Sequence, residues 1–207
     1  MFTAKTVRDI TAFLKTVYVP SIESFQAIEI RDYRYSSSSD SDSYSGYSSP
    51  SKELLSVLKK HLPYRSSFLT SGCYRAVLVT PDFVVKTDIT SPIYGERLRA
   101  EMRFINAYRS DRSNWKKHFP RTQLIRASKF TVQLQEHIPH NDRLHDLFSE
   151  DVYNLGCFLG IDDVGENNYG WKGPRGKEYP VFFDVDLRIS NPRPRSKPPT
   201  TRRSWMV

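Results

Sequence analysis

A chain of 207 residues with 38% hydrophobic and 13% aromatic content can bury a core, as one domain or as two small lobes. No apolar run is long enough to span a membrane, and the N-terminal residues lack a signal-peptide hydrophobic core, so a soluble protein of the cytoplasm is expected, with no membrane partner. The net charge of +8 is uneven: residues 188–207 hold six Lys or Arg and no acid, which makes the basic excess a property of the tail rather than of the folded part. Cys73 and Cys157, without a secretory signal, read as free thiols in a reducing compartment.

In chain order, Val7, Ile10, Phe13, Leu14 and Val17 fall at helical spacing. They predict a helix over 4–18, with Thr3 or Thr6 as its cap and Pro20 as its stop; packing is its expected role. Residues 35–51 hold ten serines and no aliphatic side chain. Such a stretch cannot bury enough surface to offset chain entropy, so a disordered linker is expected, and a dense set of phosphate acceptors is the sharper reading. Ser51 is placed to cap a short helix over 52–62 with Leu54, Leu55 and Leu58 on one face. Two strands, 73–79 and 83–86, follow, joined by a tight turn at Thr80-Pro81-Asp82. Residues 95–109 form a helix with Leu98, Met102, Ile105 and Tyr108 inward. A second hairpin joins 123–126 to 130–135 through Ala127-Ser128-Lys129. A helix then starts near Asn141 or Asp142 and runs to about Leu159, burying Leu144, Leu147, Val152, Leu155 and Phe158. A last hairpin over 171–183 turns at Gly173-Pro174-Arg175-Gly176, and a Pro-rich basic tail follows Ile189.

The order is hairpin, helix, hairpin, helix, turn-rich loop, short hairpin: an α+β chain with two lobes and a cleft between them. The loop carries Asp163 and Asn168 five apart, and Asp184 ends the run Val181-Phe182-Phe183. Phosphoryl transfer from ATP needs a carboxylate that orients or deprotonates the attacking hydroxyl, and an Asn and a second Asp that hold Mg²⁺. With these residues in place, the stretch from about 66 to 187 resembles a protein kinase, in particular the reduced serine/threonine kinases encoded early by short-tailed bacteriophages. The resemblance implies a minimal two-lobed fold with a truncated helical C-lobe. Its parts would be an N-terminal extension over 1–34, the serine-rich segment over 35–51, an N-lobe over 52–138, a reduced C-lobe over 139–189 and the tail over 190–207. By the same resemblance, Lys86 in Phe83-Val84-Val85-Lys86 meets the nucleotide phosphates. Glu101 pairs with it, although Glu96 competes for that role. The backbone of Glu136, His137 and Ile138 meets adenine, Asp163 orients the acceptor hydroxyl, and Asn168 and Asp184 bind the metal. ATP and Mg²⁺ would be the cofactors, and host proteins and the chain itself the substrates, in the host cell cytoplasm.

The departures from the family pattern are equally specific. Gly72 alone stands where a glycine-rich loop covers the phosphates; Asp162 precedes Asp163 where most kinases carry Arg; Gly165 replaces the usual Lys; and Val185-Asp186 follows Asp184 in place of Phe-Gly. Only 23 residues follow Asp184, so the activation segment and most of the helical lobe are expected to be missing. A degenerate kinase-like module that binds and redirects a host protein is the alternative from another class. A third reading has the basic tail contacting nucleic acid nonspecifically, through phosphate neutralisation. His137, His140 and His145 suggest a metal site more weakly, because a charge-rich helix start accounts for them as well.

Overall fold

The computed structural model describes residues 2–19, 50–63, 67–71, 75–88, 95–110, 114–161 and 163–185. Gly72, Cys73, Asp162, residues 20–49 with most of the serine-rich stretch, and residues 186–207 with the basic tail lie outside the described residues. Within it the chain is α+β. The elements are α1 (Ala4–Thr16), α2 (Pro50–His61), β1 (Phe68–Ser71), β2 (Arg75–Val79), β3 (Phe83–Asp88), α3 (Glu96–Ser110), β4 (Thr122–Ala127), β5 (Phe130–Glu136), α4 (Asp142–Phe158), β6 (Tyr169–Lys172) and β7 (Tyr179–Phe182). Single 3-10 turns at Asn114–His118 and Glu166–Asn168 complete the set. Five strands form one sheet in the order β1-β2-β3-β5-β4, and β6 and β7 form a separate antiparallel pair.

The chain divides into two compact units, one of residues 1–98 and 124–135, the other of residues 99–123 and 136–207. Each has its own apolar core. In the first, Ile10 and Leu14 of α1 and Leu54, Leu55 and Leu58 of α2 pack with Leu78, Phe83, Val85, Val132 and Leu134 of the sheet. Helix α1 is therefore a packing element, held at its start by a reciprocal cap in which Thr3 and Thr6 bond each other's backbone amides. In the second, Phe104, Ile105 and Tyr108 of α3 join Val152, Leu155 and Phe158 of α4 and Tyr169, Trp171 and Phe182 of the hairpin. The Tyr108 hydroxyl donates to the Leu159 carbonyl at 2.6 Å, tying the two helices at the C-terminal end of α4.

The local reasons for these elements follow the sequence closely in places. The turn after β2 closes because the Thr80 hydroxyl accepts the Phe83 amide and donates to the Phe83 carbonyl. Asn141 caps α4, its side chain accepting the Leu144 amide at 3.3 Å. Ser128, at the tip between β4 and β5, takes φ of 54°, the left-handed conformation that so tight a turn demands.

Four expectations change. Ser51 lies inside α2 rather than at its cap: the helix begins at Pro50, and the buried Ser51 hydroxyl donates to the Asp88 carbonyl of β3. The inward stripe of α3 runs through Leu98, Glu101, Phe104, Ile105 and Tyr108, while Met102 is only half-buried. In α4, Leu147 is 58% exposed. Its neighbour Phe148 has non-helical angles (φ −135°, ψ 15°), and this kink shifts the phase of the apolar stripe between the first and second halves of the helix. Finally, β1 and the 3-10 turn at Asn114–His118 were not anticipated; their short runs, Phe-Leu-Thr-Ser and Asn-Trp-Lys-Lys-His, lack the periodicity that marks an element.

Candidate functional site

The segment between α4 and the β6–β7 hairpin is fixed by hydrogen bonds centred on Asn168. Its side-chain Nδ2 donates to the Asp163 carbonyl at 3.1 Å. Its own amide donates to the Gly165 carbonyl at 2.9 Å, closing the 3-10 turn. Its carbonyl accepts the Phe183 amide at 2.9 Å and the Asp184 amide at 3.3 Å. One residue thus joins the start of the loop to the chain that leaves β7, and Asp163, Asn168 and Asp184 come together although 20 residues lie between the first and the last. Only Nδ2 can donate to a carbonyl, so the Asn168 amide orientation follows, and Oδ1 is the atom left for a ligand. Asp163 is exposed and Asp184 half-buried.

The hairpin is seated by two glycines. A Cβ at Gly170 would stand 2.5 Å from the Pro139 carbonyl oxygen and 2.8 Å from the Ile138 side chain, so β6 lies directly on residues 138–139. The Trp171 amide donates to the same carbonyl at 3.0 Å. At Gly156 of α4 an added Cβ would collide with Val164, which lets the loop pack flush on the helix.

Glu136 closes β5 and is largely fixed in place. Its amide donates to the Arg121 carbonyl at 2.8 Å, its Oε2 accepts the Arg121 amide at 3.3 Å, and its Oε1 pairs with Lys172 Nζ at 2.7 Å. The amide of Glu136 is therefore not open to a nucleotide. Ile138 is buried and His137 half-buried.

Lys86 stands on β3 opposite Val77 and is only 3% exposed. Glu101 on α3 is fully buried, whereas Glu96 is exposed. Lys and Glu are almost never buried to this extent without a partner for the charge. Glu101 and Lys86 are thus buried charged side chains, whereas Glu96 faces solvent. Asp88, two residues on, is 3% exposed; its Oδ2 accepts the Arg97 amide at 3.2 Å, capping α3 from the neighbouring strand. Burial raises its carboxyl above the ordinary 3.8, opposed by that amide bond and by the charges of Arg75 and Arg97.

The geometry bears on the histidine idea about metals. Among the described residues no group of three or more His, Cys, Asp or Glu could hold a metal ion. His145 instead packs between the rings of His140 and Tyr169, at 3.8 and 4.2 Å, and its Nδ1 accepts the Trp171 indole N–H at 3.1 Å. A pair of oxygen donors from Asn168 and Asp184 is a different case. Mg²⁺ binds through one or two protein oxygens, completes its shell with water and phosphate oxygens, and is matched by that donor set.

The residues that sequence reasoning missed are basic. Lys117, Arg143, Arg175 and Lys177 line one depression of the second unit together with Leu147, Phe148 and Tyr179. The run Lys172-Gly173-Pro174-Arg175-Gly176-Lys177, with three cations on a hairpin turn, is the signal that could have exposed it. Comparison with protein-family models, with curated proteins and with solved structures gives no match to the chain. No helix among the described residues is long and apolar enough to cross a membrane.

Proposed function

We propose that the chain is an ATP- and Mg²⁺-dependent serine/threonine protein kinase, similar to the reduced kinases of short-tailed phages, acting on host proteins and on itself. The observation that carries this reading is that Asn168 bonds both Asp163 and Asp184, one hydrogen bond to each. The burial of Lys86 on the third strand and of Glu101 on the following helix supports it, because kinases carry their phosphate-binding lysine and its glutamate on those two elements.

In this reading Asp163, exposed at the loop, accepts or orients the hydroxyl proton of the acceptor serine. Asn168 Oδ1 and the Asp184 carboxylate would hold Mg²⁺, which when bound neutralises charge on the phosphates. The resemblance gives Lys86 the role of meeting the α- and β-phosphates and Glu101 that of its partner. The hydrogen bonds from Asn168 hold the loop in its working shape before any ligand arrives, so little reorganisation remains for the reaction.

A second reading, a degenerate kinase-like module that binds a host protein, draws on Glu136, whose amide is committed to Arg121 and so is lost to adenine. Two measurements separate the readings. ATP should raise the melting temperature only with Mg²⁺ present, and Asp184→Asn should remove that rise while the ligand-free protein stays folded. With γ-labelled ATP, transfer to protein serine should fall by about 10²–10⁴-fold in Asp163→Ala. Nucleotide binding without any transfer in the wild type selects the binding module.

A further inference from the structure

A depression in the second unit has a volume of about 840 Å³ and is lined by the first turns of α4, the β6–β7 turn and Lys117. None of Asp163, Asn168 and Asp184 lines it, so it is separate from the site above. Four cations, Lys117, Arg143, Arg175 and Lys177, surround it; the last three are exposed. Its one acidic lining residue, Glu178, already accepts the Gly176 amide at 2.7 Å. Asp142, beside Arg143, is engaged by His140 at 2.9 Å. The field at the depression is therefore positive.

Charge alone would suit any polyanion, and the apolar wall narrows the choice. Leu147 is 58% exposed and Phe148 half-buried, so an aliphatic and an aromatic side chain face this positive rim. A single-stranded nucleic acid needs open aromatic faces on which bases stack. Trp171 is only 4% exposed, Phe148 is half-buried and packs edge-on to Trp171 at 5.9 Å, and the Tyr179 ring has Lys117 Nζ 5.9 Å from its centre. A free phosphate would gain nothing from Leu147. We propose that this depression docks an acidic protein segment in which carboxylates flank one or two large apolar side chains. The apolar side chains cover Leu147 and Phe148, and the carboxylates meet Arg143, Arg175 and Lys177. This is a binding function that goes beyond phosphoryl transfer and needs no nucleotide.

The test is fluorescence anisotropy with the full chain and a labelled peptide of glutamates around a central Leu-Phe pair. Three probes serve as comparisons: the same peptide with every Glu replaced by Gln, an all-Glu peptide, and a short single-stranded DNA. The Leu-Phe acidic peptide should bind tightest and weaken as salt rises, because exposed charges are screened. The double change Arg175→Ser with Lys177→Ser, on an exposed turn, should weaken it about tenfold with the circular dichroism unchanged. Leu147→Ser should weaken it about fivefold while leaving the all-Glu peptide unaffected. Equal or tighter binding of the DNA or the all-Glu peptide overturns the proposal in favour of a general polyanion surface. So does absence of binding, or binding indifferent to both variants.

Discussion

Glu96 and Glu101 lie on one helix, and burial alone tells them apart. Helical spacing allowed Leu98, Met102, Ile105 and Tyr108 as the inward stripe because steps of three and four are both in phase. The structure uses a step of three from Leu98, bringing a carboxylate to a position where an apolar reading expects Met102. Changing a fully buried carboxylate mismatches the groups around it, so Glu101→Gln should lower stability by about 1–3 kcal/mol in urea denaturation. Glu96→Gln should stay within about 0.5 kcal/mol. Equal effects would mean that Glu101 has no special role. Asp88 offers a test in pH. Its folded carboxyl is raised above 3.8 by burial, so the folded state holds its proton more tightly than the unfolded chain does. Its contribution to stability therefore falls as pH rises from 3.8 through the folded value. Asp88→Asn lacks that titration, and its stability relative to wild type should climb across the same window and then level. A wild type that instead gains on the variant as pH rises would show that Arg75 and Arg97 outweigh burial.

At the scale of elements, the hairpins and caps were legible because their chemistry is local. Thr80-Pro81-Asp82, Asn141 and the glycines around Pro174 each act within a few residues, and each appears where the sequence put it. What failed was anything set by contacts far along the chain. The Ser51 hydroxyl serves β3 rather than its own helix, and Leu147 points outward because of the kink at Phe148. No periodicity reports either. Within the candidate site the Asp-x4-Asn spacing was visible, but the hydrogen bond from Asp184 back to Asn168 was not. Helix α4 and the loop after it are coupled through Gly156, and this makes a prediction about an element. Gly156→Ala forces its methyl onto Val164, with Phe182 at 3.3 Å, and should cost about 1–3 kcal/mol. Because Val164 adjoins Asp163, the displaced loop should also lose the Mg²⁺-dependent stabilisation by ATP. Leu155→Ala, also on α4 and fully buried, should cost about 2–5 kcal/mol yet keep that stabilisation in proportion to the folded fraction. If both variants behave alike, the glycine serves packing and not the loop.

For the whole molecule, apolar periodicity revealed enough buried surface for two cores but not how the chain is shared between them. The division passes through α3 and β5, continuous elements in which no composition shift marks a boundary. The proposed activity can be tested at this scale on residues 36–49, whose nine serines read from the sequence alone as a linker rich in phosphate acceptors. Covalent attachment through a linker of such composition gives an effective concentration on the order of millimolar. An enzyme with little surface for holding a protein substrate would still modify a segment presented in that way. Each phosphate adds about −1.5 to −2 charges beside Asp40 and Asp42, turning a mildly acidic stretch into a strongly acidic one. We therefore expect self-phosphorylation within residues 36–49, mapped by mass spectrometry after incubation with ATP and Mg²⁺, and none at Ser51, whose hydroxyl is buried in α2. If the proposed kinase reading holds, Asp163→Ala and Asp184→Asn should both abolish it, since in that reading one removes the group that meets the hydroxyl and the other a metal ligand. The rate per molecule should not change on dilution if the reaction is within one chain, and should fall in proportion to concentration if it is between chains. Phosphate appearing equally in the Asp163→Ala protein would trace the activity to a contaminant, and the kinase reading would fail with it.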